Sequence, residues 1–262
     1  MAVAAFFALA PVIWMITSSL RKNVEIFEYP PKLIPDTLTV KPYIQVFSQM
    51  KNLRFFLNSY LIATVVTIVS LILAIFIGYA FSRYDFWGKS FLNMFVISTQ
   101  TVPPIALLIP YFGMVITFGI YDTYFALLFT FMALCLPYSI LMMTGYFNTI
   151  SSELDEAVLI DGGSRFYALW RVIVPLSIPG IVSTSVYSFI LAWNEYLFAL
   201  TLTKSTSMRT VPVGIAMMKG QHAFQWNQIM AMSFAGSLPI LILFLFLQNY
   251  FLSGMTAGAV KE

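Results

Sequence analysis

Charged side chains are scarce in this chain of 262 residues: Asp, Glu, Lys and Arg make up only 10% of it. An average soluble domain carries roughly 25%, so this chain cannot cover its own surface in water. Apolar residues reach 60%, mean hydropathy is +0.84, and they fall in long blocks, which marks a bilayer as the solvent. Cysteine is almost absent. Cys135 alone excludes an internal disulfide framework and a thiolate metal cluster, and reads as a small packing group. Histidine is as rare: His222 has no second ligand at a plausible spacing, so neither a metal site nor a catalytic role is expected. No G-x-x-x-x-G-K-S/T phosphate loop occurs, so a nucleotide site of that kind is not expected on this chain. A net charge of +3 is too small to call for nucleic acid. The 25 Phe and 14 Met read as lipid-facing or packing groups.

A spanning helix needs roughly 20 mainly apolar residues. Six blocks qualify, at 1–20, 58–82, 91–111, 124–146, 179–202 and 229–252. The expected fold is therefore an all-α integral membrane protein with six transmembrane helices in one domain over 1–262, and a helix-turn-helix loop between the fourth and fifth. Pro103, Pro104 and Pro110 in the third block each remove a backbone donor. They imply a kinked helix packed against protein, its end near a cavity. The stretch 112–123 is too short and mixed to span and reads as an interfacial or re-entrant piece. Nothing basic precedes Ala2–Ile16, unlike a secretory signal, so block one reads as a first membrane helix whose leader is absent from this chain.

Six spans put both termini, the 83–90 loop and the 147–178 loop on one side. That side carries Arg83, Lys89, Arg165, Arg171 and Lys261. The other carries Arg21, Lys22, Lys32, Lys41, Lys51, Arg54, Lys204, Arg209 and Lys219. Taken by itself, the positive-inside rule makes the second side cytoplasmic.

The most informative polar stretch runs from Ser151 to Pro175. Ser152 is placed to cap a helix with Asp155 three residues on, and acids crowd the first turn where the helix dipole favours them. Leu154, Ala157, Val158 and Asp161 share one helical face. Gly162 and Gly163 end the helix. A second helix carries Phe166, Leu169, Trp170 and Ile173 on one stripe and stops at Pro175. Its acid-rich start argues against simple adhesion to anionic lipid, since helices that lie on membranes carry basic polar faces.

This stretch resembles the "EAA" coupling loop of binding-protein-dependent ABC import permeases: Glu156-Ala157-Val158, then Gly162, then Val172-Ile173-Val174-Pro175. Glycine and proline stand at the family's full spacing; the departures are Val158 for the second alanine and the valines at 172 and 174. The segment Ala192–Leu200 and the tail Gly254–Lys261 resemble the maltose-type second permease of the carbohydrate-uptake branch. The resemblance implies a loop at 151–175 that is cytoplasmic, overriding the charge count. It docks on an ATPase subunit through Glu156, Ala157, Val158, Asp161, Gly162 and Pro175. It also implies the partners: a second homologous permease, two ABC ATPase subunits that carry ATP and Mg, an extracytoplasmic solute-binding protein, and lipid of a bacterial or archaeal inner membrane. No cofactor and no catalysis are expected on this chain.

Glu195 is the acid set inside an apolar block, and an intramembrane ionisable group is a functional candidate by default. Two roles suit it. With Trp193, Asn194 and Tyr196 it lines a hydrated substrate path; alternatively it pairs with a neighbouring helix or caps a kink. Lys219, Gln221, His222, Gln225 and Trp226, in the 203–227 loop, are either contacts for the binding protein or solvated loop. An ion-coupled secondary transporter would show paired intramembrane acids or inverted repeats, and a membrane enzyme a polar cluster at bilayer depth; the sequence shows neither. The solute is expected to be an oligosaccharide, with an anionic glycan or glycerol phosphate as the alternative.

Overall fold

The computed structural model describes residues 2–219 and 225–257, and among these every regular element is a helix. In chain order they begin with α1 (Ala2–Ser19), the short α2 (Lys41–Phe47) and the long α3 (Met50–Arg83). Next come α4 (Lys89–Thr101), α5 (Leu108–Thr117) and α6 (Tyr124–Phe147). The loop after α6 holds α7 (Glu153–Ile160), α8 (Arg165–Ala168), and, beyond a π-turn at Leu169–Ile173, α9 (Val174–Leu176). The chain continues through α10 (Ile178–Trp193), α11 (Leu197–Leu202), α12 (Val211–Met217) and α13 (Trp226–Ala257).

Among the described residues three helices are long and apolar enough to cross a membrane: Met50–Arg83, Tyr124–Phe147 and Trp226–Gln248. Two bent pairs raise the number to five if each is one span. One pair, Lys89–Thr101 with Pro104–Thr117, turns by 100°. Val102 precedes Pro103 and Pro103 precedes Pro104, so both are pushed out of helical geometry, to ψ 122° and ψ 132°. The break thus lies at 102–103, and 112–117 belongs to its second limb; the interfacial or re-entrant piece expected at 112–123 does not begin as a separate element, and the bent pair as a whole is a broken span or a re-entrant loop. The other pair, Arg165–Leu176 with Ile178–Trp193, turns by 77°. In α1 the stretch Phe7–Ser19 is apolar.

The chain divides into two compact units, Met1–Tyr60 with Ala199–Ile242, and Leu61–Phe198 with Leu243–Glu262. In the first, Arg21 is 1% exposed. Its guanidinium donates to the carbonyls of Thr17, Lys32 and Leu33 at 3.2, 3.0 and 3.0 Å and lies over the Trp14 ring. A charge counted as a loop cation is therefore an internal staple. The Asn58 amide donates to the carbonyls of Ser207 and Arg209, both at 2.8 Å, and Ser59 Oγ accepts the Val211 N–H.

In the second unit, Ala74, Ile75, Tyr79 and Phe81 of α3 pack with Ile140, Met143 and Phe147 of α6, and with Leu169 and Ile173 of the 151–176 loop. Gly78 brings α3 and α6 close: a Cβ there would stand 3.0 Å from the Thr144 nitrogen. Between α6 and α10 the hydroxyls of Ser139 and Ser188 meet at 2.9 Å. Gly180 opens α10 to the Tyr146 ring, where a Cβ would come within 2.4 Å of Cγ. Gly180→Ala should therefore lower the thermal stability of detergent-purified protein by about 1–3 kcal/mol, and Tyr146→Leu should restore part of that loss in the double variant. A Gly180→Ala protein as stable as the parent would disprove the close packing.

Candidate functional sites

α7 begins without the expected cap. Ser152 makes no side-chain bond to the helix; Ser151 Oγ accepts the Glu153 N–H at 3.2 Å instead. The capping box fails because Asp155 is engaged elsewhere. Its carboxylate accepts the Tyr79 hydroxyl and the Arg83 Nε, the latter at 2.7 Å, and both charged side chains are nearly dry at 6% and 3% exposure. Arg83 also donates to the carbonyls of Phe147 and Ile150, at 3.1 and 2.9 Å, and to Ser82 Oγ. One guanidinium thus joins the end of α3, the end of α6 and the start of α7.

This anchor sets the roll of α7. Asp155 is its buried residue, with Val158 and Leu159 half-buried. Of the face shared by Leu154, Ala157, Val158 and Asp161 only Val158 is half-buried; Leu154, Ala157 and Asp161 are exposed, because a paired carboxylate outweighs a small apolar stripe. Glu156 is exposed too, and Ile160 is 86% exposed.

The helix ends in a Schellman motif. Gly163 N–H donates to Val158 O at 2.8 Å and Gly162 N–H to Leu159 O at 3.1 Å, with Gly162 at φ 86°. Gly163 has no room for a side chain, since a Cβ would lie 2.6 Å from Val158 Cγ1. Val158, Asp161, Gly162, Gly163, Ser164 and Tyr167 line an open hollow of about 620 Å³ at the turn.

In the second limb the buried residues are Ala168, Leu169 and Ile173. Phe166 and Trp170 stay on the surface, where their rings meet edge to face. The expected stripe is displaced because the π-turn at Leu169–Ile173 adds a residue to one turn. Pro175 does not stop the helix either. Helix continues to Leu176, and Ser177, whose hydroxyl donates to Ile173 O at 2.7 Å, marks the bend into α10. Pro175 itself is exposed.

A second region lies where the break at 102–103 comes near the gap Asn194–Tyr196 between α10 and α11. A cavity of about 280 Å³ is lined by residues including Thr99, Gln100, Val102, Pro104, Tyr111 and Tyr187. Another, of about 530 Å³, shares Pro104, Leu134, Tyr187 and Leu191 with it and adds Asn194, Glu195, Tyr196 and Leu197. Glu195 Oε1 accepts the Phe198 N–H at 2.9 Å, capping the first turn of α11. Glu195 thus caps a break, one of the roles expected of it, and the residue also lines the second cavity. Trp193 does not line it: the indole is 2% exposed and stacks on Phe189. Tyr138 packs on Tyr187 with ring centroids 3.7 Å apart.

Lys219 and Gln225 are exposed and Trp226 half-buried, whereas Gln221 and His222 lie outside the described residues, as do 258–261 of the tail. No group of three or more His, Cys, Asp or Glu that could hold a metal occurs among the described residues. Sequence reasoning missed Arg83 and Tyr79 as anchors of α7, and Gln100, Tyr111 and Tyr187 as cavity residues. The only legible signal for the first was the extra acid at 155, ahead of the Glu-Ala pair.

A model of the family described as the binding-protein-dependent transport system inner membrane component matches residues 70–252. The chain belongs to this family. Among its relatives is a trehalose/maltose transport system permease protein of Thermococcus litoralis, 37% identical over 260 residues, covering 98% of this chain and 93% of that one. A sulfoquinovosyl glycerol transport system permease protein of Agrobacterium fabrum is 32% identical over 253 residues, covering 97% and 89%. The fold matches a chain of a bacterial ABC transporter involved in the import of the acidic polysaccharide alginate, with TM-score 0.83, 22% identity, and coverage of 95% and 93%. The first two are transport permease proteins, and the third shares the helical fold of this permease.

Proposed function

We propose that this permease is one subunit of an ATP-driven, binding-protein-dependent importer that carries a carbohydrate into the cytoplasm by alternating access. It forms one transmembrane domain of six spans over 1–262, with the broken pairs counted as spans and α1 as the first. The 151–175 loop and the carboxyl terminus face the cytoplasm. A second homologous permease completes the pathway, two ATPase subunits supply ATP and Mg chemistry, and an extracytoplasmic binding protein delivers solute to the 203–227 loop, around Lys219, Gln221, His222, Gln225 and Trp226.

The observation that carries this reading is the display of the 151–176 hairpin. Its acids Glu153, Glu156 and Asp161 and its apolar Leu154, Ile160 and Phe166 stand exposed together, while Asp155 fixes the hairpin to α3 and α6. An exposed apolar cluster rimmed by charge on a firmly held element suits a docking surface. ATP closing the two ATPase subunits would push Glu156, Ala157, Val158, Asp161 and Gly162. Arg83 would pass that push to the helices, and Pro175 would carry it towards α10.

Co-purification tests the assembly: an ATPase subunit and a second permease should accompany the tagged chain. Glu156→Lys tests the contact. Reversing one charge of an interfacial pair should cut uptake by about tenfold or more, while the variant still inserts and is recovered from the membrane. Uptake at the parental rate would remove Glu156 from the coupling surface.

A further inference from the structure

The break at 102–103 and the gap between α10 and α11 at Asn194–Tyr196 both border the cavities around Tyr187. Backbone that leaves helical geometry inside apolar blocks is tolerated where it is buried in protein or lines a hydrated cavity, and such broken helices mark transport sites. Val102 and Pro104 of one break line the first cavity; Pro104, with Asn194 to Leu197 of the other break, lines the second. The volumes, about 280 and 530 Å³, lie near the range of about 300–1,000 Å³ usual for small-molecule sites. The walls are mainly apolar, with Pro104, Leu134 and Leu191 common to both, and a few polar groups are set among them. Tyr187 lines both cavities and remains 38% exposed, and Tyr138 packs on it. Gln100 and Asn194 bring amides that both donate and accept, Thr99 a hydroxyl and Tyr111 a phenol. Among the described residues neither wall contains Lys, Arg or His, and Glu195 is the one charged residue that lines them.

We propose that this chain holds its own solute subsite here, in which a neutral sugar ring stacks on Tyr187 and its hydroxyls bond to Gln100 and Asn194, and which rejects anionic glycans. Flat carbon faces of a sugar suit an aromatic ring, and neutral hydroxyls suit amides with both polarities. A uronate or sulfonate entering these cavities would meet no cation and would lie near Glu195, and an unpaired charge is costly out of water. The subsite thus departs from the acidic glycan carried by the transporter of like fold. This inference rests on the importer reading above.

Because Cys135 is the one cysteine and is buried, a reporter thiol is simple to install. In the assembled complex, Gln100→Cys in a Cys135→Ser background should react with a small water-soluble thiosulfonate. Maltose, trehalose or diacetylchitobiose, delivered with the cognate binding protein, should slow that reaction about tenfold for at least one of the three, as for a site near saturation. Alginate pentasaccharide and sulfoquinovosyl glycerol should leave it unchanged. Tyr187→Ala should lower uptake of the protecting sugar about tenfold, the scale of a lost ring contact, and Tyr187→Phe should restore most of it.

No labelling under any condition means that lipid or the second permease fills the cavity, and overturns the subsite. Labelling that no sugar slows overturns it too. Protection by an anionic glycan overturns the charge selectivity while leaving the importer reading intact. If neither an ATPase nor a second permease accompanies the chain and no solute is taken up, the importer reading itself falls, and the subsite with it.

Discussion

Asp155→Ala is expected to lower the unfolding free energy of the detergent-purified protein by about 3–5 kcal/mol, the usual cost of stranding one member of a buried ion pair. The Arg83 guanidinium would then stay dry with the carbonyls of Phe147 and Ile150 and the Ser82 hydroxyl, but with no counter-charge. Arg83→Met should do comparable harm by leaving the Asp155 carboxylate with the Tyr79 hydroxyl alone. The double variant Arg83→Met/Asp155→Leu removes both charges and fills the space, so it should be more stable than either single variant. The coupling in that cycle should lie at the upper end of the range of about 0.5–3 kcal/mol seen for interacting residues. Additive losses in the cycle would mean that the pair is not buried as a unit. Uptake gives the second readout: the stable double variant should still import poorly, because α7 would no longer be held to α3 and α6 by a rigid polar joint.

Gly162→Pro should abolish uptake while leaving membrane insertion intact. Proline fixes φ near −65°, whereas Gly162 sits at 86° and uses its N–H to close the turn on Leu159. The left-handed conformation costs an ordinary residue about 1–2 kcal/mol, so Gly162→Ala should weaken uptake only in part. Gly162→Asn, which tolerates that conformation, should transport nearly as well as the parent. The three variants rank the effect by backbone geometry, which a simple loss of expression would not do. Equal uptake by Gly162→Pro and the parent would remove the turn from the coupling path.

Much of the helical layout is legible because bilayer physics is coarse. Block four at 124–146 matches α6 to one residue, since an unbroken apolar run has one way to satisfy its backbone in lipid. The Gly162 turn is legible for a local reason, as a glycine pair after a short helix specifies a Schellman ending. Block three reads as a kinked helix to 111 with a separate piece beyond it, whereas its break lies at 102–103. Three prolines compete there, and the consecutive pair at 103 and 104 decides, each forcing the residue before it out of the helix. Block five reads as continuous, although Asn194–Tyr196 interrupts it and Glu195 caps α11 beyond the gap.

The 151–176 loop divides most clearly between the two sources of information. Sequence alone determined that a short acidic helix, a glycine turn and a second helix lie between two apolar blocks, because charge, capping preference and glycine act over a few neighbours. It could not determine which side of α7 faces inward. Periodicity favours the stripe of Leu154, Ala157, Val158 and Asp161, and the structure buries Asp155 instead. That choice belongs to tertiary structure, since Arg83 stands 72 residues before Asp155 and Tyr79 stands 76. A carboxylate joined to a guanidinium out of water outweighs the burial of a few small apolar groups, and no local pattern reports where such a partner will arrive.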